Sequence, residues 1–155
     1  SDHKDVFLRI VGVCDHALYM TYTQLIASLG IEDRVEFPNT FIDDTELTNL
    51  AKKYHIGVAL YEKGWRSSTH YTDPGKVKTY VDLGLPIIMT NMSAIAPFIK
   101  KFHAGEVIDK VSDLHMAVEK IQINYDRYQM GLRSFAHYFD YEMYYRRAFI
   151  ALERG

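Results

Sequence analysis

Short apolar runs alternate with amphipathic stretches along this chain, and turn residues fall between them. Phe7-Leu8-Arg9-Ile10-Val11 is a β-branched run that stops at Gly12, and it predicts a buried strand. Over residues 18–29 the apolar positions Leu18, Tyr22, Leu25, Ile26 and Leu29 recur at helical spacing, with Gly30 as a C-terminal stop. Arg34-Val35-Glu36-Phe37 reads as a second strand, ended by Pro38 and Asn39. Asp43 or Asp44 then caps a helix running to Lys53, with Leu47, Leu50, Ala51 and Tyr54 inward. His55-Ile56-Gly57-Val58-Ala59-Leu60-Tyr61 is apolar almost throughout, as a central parallel strand should be.

A polar stretch over residues 62–72 follows, long for a connection inside a compact domain and so a candidate functional loop. Asp73-Pro74-Gly75-Lys76 opens the next helix, with Asp as cap and Pro at the first helical position. That helix stops at Gly84, and Leu85-Pro86-Ile87-Ile88-Met89-Thr90 predicts a fourth strand. Residues 93–101 look helical, Glu106-Val107-Ile108 is a short fifth strand, and residues 113–124 form another amphipathic helix. Two closing helices are expected over 126–137 and 141–152. Strand and helix in steady alternation predict a single α/β domain: a Rossmann-like three-layer sandwich around a mostly parallel sheet.

Composition sets limits on this picture. The chain has 155 residues, room for about one domain, and buries enough surface to fold without a disulfide or metal staple. Cys14 alone excludes an internal disulfide framework and fits a reducing compartment, so a cytoplasmic location is expected. A formal net charge of -2 argues against a nucleic-acid binder, which needs a clear basic excess. The longest apolar runs fall far short of the roughly 20 residues that span a bilayer. Aromatic content is high at 14%, with 12 Tyr, half of them in the terminal set Tyr125, Tyr128, Tyr138, Tyr141, Tyr144 and Tyr145. So many aromatic faces exceed what one small domain can pack, and a partner surface is expected there.

In an open α/β sheet, ligands bind beyond the carboxyl ends of the strands. That selects residues 12–16, 39–41, 61–73 and 90–93. The helix start at Asp73-Pro74-Gly75-Lys76 is the sharpest signal. Free N–H groups and the positive end of the helix dipole suit a phosphate, Gly75 clears its approach and Lys76 adds a full charge. Lys63, Arg66 and His70 sit in the preceding loop, placed to converge on the same anion, and Glu62 is the best-placed carboxylate. Trp65, Tyr61 and Tyr71 could cover a ring system. The plain alternatives are a well-capped surface helix with solvated lysines and aromatic packing anchors. Several other chemistries are excluded: there is no Walker loop, dinucleotide fingerprint, G-x-S-x-G elbow, or His/Cys metal spacing. Asp15 at a strand end suggests a phospho-accepting carboxylate, against the plainer reading of a solvated loop charge.

Taken as an ordered set, these segments resemble the C-terminal, donor-binding half of a retaining GT-B glycosyltransferase of the family-four type. The match begins at Leu8-Arg9-Ile10-Val11-Gly12 and continues through Leu29-Gly30-Ile31-Glu32-Asp33-Arg34-Val35-Glu36-Phe37 and Ile56-Gly57-Val58-Ala59-Leu60-Tyr61. Its most specific part runs from Asp73-Pro74-Gly75-Lys76 through Tyr80 and Gly84 to Pro86-Ile87-Ile88, and is similar to the family signature P-x-K-x-x-E-Y-x-x-x-G-x-P-[VI]-[VI]. The resemblance implies transfer of a hexosyl group from a nucleoside-diphosphate sugar to a glycan, lipid or other acceptor, with no cofactor and no required metal. It implies catalytic roles for Lys76 and Asp73 at the sugar and diphosphate, and donor contacts from Arg66, His70, Pro74 and Gly75. It places the base among Asn39, Thr40, Phe41, Tyr61 and Glu62. Thr79 stands where the signature has its ribose-binding glutamate, and Tyr71 where many members carry a second glutamate. The family's domain begins one strand and helix earlier and faces an acceptor domain. The expectation is therefore a fragment, inactive alone, whose partner is the N-terminal half of the same enzyme and whose peripheral membrane association would run through that half. The competing reading is a non-enzymatic Rossmann-like or receiver-type module built around Asp15.

Overall fold

The computed structural model describes residues 6–61, 75–140, 146, 149–151 and 153. The chain divides into two compact units, residues 1–49 and residues 50–155.

In the first unit, β1 (Leu8–Arg9) and β2 (Val35–Glu36) form a parallel pair, with Leu8 opposite Val35 and Arg9 opposite Glu36. The Arg9 guanidinium pairs with the Glu36 carboxylate across this ladder. Helix α1 (His16–Ser28) joins the strands, and Asp15 caps it by accepting from the Leu18 N–H at 3.0 Å. Gly30 turns the chain at a φ of 61°, a conformation that costs glycine nothing. The edges of Tyr19 and Tyr22 meet the Phe37 ring at 5.3 and 6.1 Å. Asp43 caps α2 (Asp44–Ala51), its carboxylate accepting from the Glu46 N–H at 2.8 Å.

The run 7–11 departs from its expected burial. Only Leu8 and Arg9 pair as strand, Leu8 is 46% exposed and Phe7 64% exposed. Among the described residues β1 pairs with β2 alone. The apolar character of the run follows from strand preference rather than from a central position.

The second unit is built on a parallel ladder in the order β3 (Gly57–Ala59), β4 (Ile87–Thr90), β5 (Gly105–Ile108). Central β4 is buried along its whole length, and side-chain alternation divides its residues between two cores. On one face Ile87 and Met89 join Ala59 and meet Val77 of α3 (Gly75–Asp82) and Ala96 and Ile99 of α4 (Ala96–Phe102). On the other, Ile88 packs with Ile108 and with Ala117 and Ile121 of α5 (Leu114–Ile123), which follows a 3₁₀ turn at Val111–Asp113. Helices thus cover both faces, as the α/β reading expects. Pro86 precedes the paired residues; it lacks a donor, but its carbonyl accepts from the Gly57 N–H at 2.9 Å. Residues 93–95, read from sequence as the start of α4, form turns instead. Ser93 supplies its carbonyl to the Ala96 N–H at 3.0 Å and its hydroxyl oxygen to the Ile95 N–H at 3.2 Å.

Helix α6 (Tyr125–Tyr138) crosses the amino ends of all three strands. Tyr125 meets the ring of His55, two residues before β3, at 5.9 Å. Gln129 Nε2 donates to the Gly84 carbonyl, just before β4, at 2.7 Å. At Gly131 a Cβ would fall 2.2 Å from the carbonyl oxygen of His103, just before β5. Its amino-terminal half reaches one core through Tyr128, and its carboxyl-terminal half reaches the other through Leu132 and Phe135. Of the helix expected over 141–152, residues 146 and 149–151 are described and are helical.

Candidate functional site

Helix α6 lies across the amino ends, and in an open α/β sheet the carboxyl ends of the strands, here of β3, β4 and β5, are where a ligand is expected. Tyr61 stands two residues beyond β3 and Thr90 closes β4. The two are clasped together: the Thr90 hydroxyl oxygen accepts from the Tyr61 N–H at 2.9 Å and donates to the Tyr61 carbonyl at 3.1 Å. Thr90 is buried, at 5% exposure, so its hydroxyl is satisfied by this one residue. Beyond the neighbouring strand, Asn91 Nδ2 donates to Asp109 Oδ1 at 3.1 Å.

Helix α3 returns beside Tyr61. The Lys76 Nζ lies 5.9 Å from the centre of the Tyr61 ring, within the range of a cation–π contact. Four residues on, Tyr80 lays its ring over Gly57, where a Cβ would fall 2.3 Å from its Cγ. The Tyr80 hydroxyl donates to the Val58 carbonyl at 3.0 Å. Glycine at position 57 is what lets the tyrosine press α3 onto β3. Burial raises the pKa of the Tyr61 hydroxyl above its ordinary value, and burial followed by the proximity of Tyr61 does the same for Tyr80. Both rings therefore stay neutral near pH 7 and serve as shape and acceptor surface, not as bases.

Gly75, the first residue of α3, is exposed, and among the described residues no atom lies within 4 Å of a Cβ built on it. Gly75 thus sets no side chain at the start of α3, and the Lys76 ammonium stands one residue on. Thr79 spends its hydroxyl proton inside the helix, donating to the Gly75 carbonyl at 3.1 Å, which leaves its oxygen as an acceptor. Glu62, Arg66, His70, Tyr71, Asp73 and Pro74 lie outside the described residues, as do Lys63 and Trp65. The structure thus brings together Tyr61, Gly75, Lys76 and Thr79 of the residues expected from sequence, and adds Thr90. Its signal was a hydroxyl closing the otherwise apolar run Ile87-Ile88-Met89, but its partner stands 29 residues away.

Asn39, Thr40 and Phe41 belong to the first unit. Asn39 adopts a φ of 49°, and its amide grips Cys14 from both sides, accepting from the Cys14 N–H at 2.7 Å and donating to the Cys14 carbonyl at 3.3 Å. It joins the loops that follow β1 and β2. Thr40 is exposed, and Phe41 is 82% exposed. Asp15, the candidate phospho-acceptor, is engaged in capping α1. Among the described residues no three His, Cys, Asp or Glu side chains gather into a group able to hold a metal, and no helix is long and apolar enough to cross a membrane.

Comparison with known proteins adds the following. Residues 21–152 match the model of the family described as "Glucosyltransferase 3-like, C-terminal domain", well over half of the chain. No curated protein matches the sequence. Among solved structures, the fold is similar to that of WaaG, a glycosyltransferase involved in lipopolysaccharide biosynthesis, with a TM-score of 0.60 at 18% sequence identity. The likeness covers 86% of this chain and 34% of WaaG, so the chain spans about a third of that protein's length. At that identity the likeness concerns the fold, and it carries the expected Rossmann-like half of a GT-B architecture.

Proposed function

Because the chain belongs to the glucosyltransferase 3-like C-terminal domain family, we propose that it binds a nucleoside-diphosphate sugar and presents it for hexosyl transfer within a larger glycosyltransferase. The observation that carries this reading is the Lys76 ammonium at the start of α3, 5.9 Å from the Tyr61 ring at the carboxyl end of β3. A departing nucleoside diphosphate gathers negative charge as the glycosidic bond breaks. Fixed donors aimed at that charge stabilise the transition state more than the ground state, and this is the main catalytic contribution expected of such a site. Here the first N–H groups of α3 and the Lys76 ammonium take that role, with Asp73 assigned to the sugar. Tyr61 supplies a flat neutral surface, and Thr79 offers its oxygen to a ribose hydroxyl.

The acceptor belongs, on this reading, to an N-terminal half that faces the donor across a cleft. The partners of the chain are then the donor and that half, and a cytoplasmic enzyme would reach a membrane acceptor through the same half. The chain by itself is expected to bind nucleotide weakly and not to turn over.

Titration calorimetry of the chain with UDP and with GDP tests the proposal. Weak binding of one of them, lost in Lys76→Ala, is the expected result. A folded wild-type chain with no affinity for either nucleotide overturns it.

A further inference from the structure

We propose that Thr90 is a positioning residue for the donor site, acting through Tyr61; the role rests on the donor reading above. Tyr61 is the point at which the chain leaves β3, and among the described residues the β3 ladder ends at Ala59. A residue so placed would normally take its hydrogen bonds from water and follow the motions of its loop. Instead both its N–H and its carbonyl are taken by one hydroxyl, at 2.9 and 3.1 Å, from a buried residue on the strand that forms the centre of the sheet. The two bonds hold the peptide units on either side of the Tyr61 Cα, and so restrict its backbone dihedrals as well as its position. With the backbone fixed, the direction in which the Tyr61 ring leaves the chain is restricted to a few rotamers. One of these sets the ring 5.9 Å from Lys76 Nζ.

The clasp therefore links the central, fully buried strand of the unit to the residue against which the candidate anion-binding lysine rests. Binding groups held in place before the ligand arrives need no ordering when it does. Serine could make the same two bonds, because the methyl of Thr90 takes no part in them. Valine, with the same shape, could make neither.

Thr90→Val and Thr90→Ser discriminate this role from simple packing. In UDP calorimetry Thr90→Val is expected to bind about ten-fold more weakly, and Thr90→Ser to stay within about two-fold of wild type. Thermal melts of both variants confirm that the measured chains are folded. Undiminished affinity in folded Thr90→Val overturns the proposal, as does a folded Thr90→Ser that loses the full ten-fold. Amide hydrogen exchange of the wild-type chain supplies a measurement that needs neither variant nor nucleotide. The Tyr61 N–H is expected to exchange slowly, and exchange at the rate of an open loop removes the clasp itself. Slow exchange combined with no UDP or GDP affinity in wild type instead overturns the donor reading, and the positioning role with it, while leaving the clasp standing.

Discussion

Tyr128 donates its hydroxyl proton to Glu106 Oε1 at 2.5 Å, and Lys120 Nζ reaches the other oxygen of the same carboxylate at 3.3 Å. One residue of β5 is thereby tied to α6 and α5 together. A hydrogen bond to a charged, half-buried acceptor contributes about 2 kcal/mol, so Tyr128→Phe should lower the unfolding free energy by roughly that amount. Urea denaturation followed by circular dichroism measures it. Loss of less than about 0.5 kcal/mol would mean that Lys120 alone satisfies the carboxylate.

The same bond predicts an alkaline limit to stability. Burial, then the bond to Glu106, pushes the Tyr128 pKa well above its ordinary value of 10.0. The folded chain keeps this proton where the unfolded chain gives it up. The stabilisation is thus complete below pH of about 10 and is lost as pH climbs through the folded value. Tyr61 and Tyr80 shift the same way and add to the effect. Melting temperature should fall steadily above pH of about 10, and Tyr128→Phe should make that fall shallower.

Gly131→Ala tests how closely α6 must approach. Alanine favours a helix by about 1 kcal/mol over glycine, yet its Cβ would lie 2.2 Å from the His103 carbonyl oxygen and 2.3 Å from that of Phe102. Backbone oxygens cannot step aside as a flexible side chain can. The variant should lose about 1–3 kcal/mol net, a drop of roughly 2–4 °C in melting temperature for each.

Gly75→Ala asks the opposite question at the opposite end of the sheet. Among the described residues nothing lies within 4 Å of the added methyl, so stability should change by less than about 0.5 kcal/mol. If the donor diphosphate approaches across this residue, UDP affinity falls while the melting temperature stays put. Calorimetry and a thermal melt on one preparation separate the two.

Asp15 should act as a cap and not as a phospho-acceptor. Asp15→Ala removes the acceptor for the Leu18 N–H and should cost about 1 kcal/mol, whereas Asp15→Asn keeps it and should cost little. Incubation with a small phosphodonor should add no phosphate by mass spectrometry; stable labelling lost in Asp15→Asn would favour the receiver-type reading.

The alternation of strand and helix was legible because each period leaves its mark locally. Ile87-Ile88-Met89 announced a buried strand, and Gly84 announced the stop before it. The end of β3 was less legible. His55 through Tyr61 is apolar almost throughout, but only Gly57–Ala59 pair; beyond them the Tyr61 backbone bonds the Thr90 hydroxyl instead of the β4 main chain. Phe7 through Val11 misled for a related reason: strand preference is local, while burial depends on which neighbours arrive. The place of the site, beyond the strand ends at Tyr61 and Lys76, followed from the fold class. What holds it did not, because the bonds of Thr90 to Tyr61, of Glu106 to Tyr128, and the close approach of Gly131 to His103 join distant segments and leave no periodic trace.

Helix α6 has a consequence for how this unit comes apart. Tyr128 belongs to the core on one side of the sheet, and Leu132 and Phe135 belong to the core on the other, so a single helix is shared by both. Neither core can melt while the helix stays, and neither can survive its departure intact. The three layers should therefore unfold in one transition, with no half-melted state in which one face persists. A lesion at the amino ends of the strands would then reach the carboxyl-end site through a shortened lifetime of the whole unit, without moving a single atom of the site in the folded molecule.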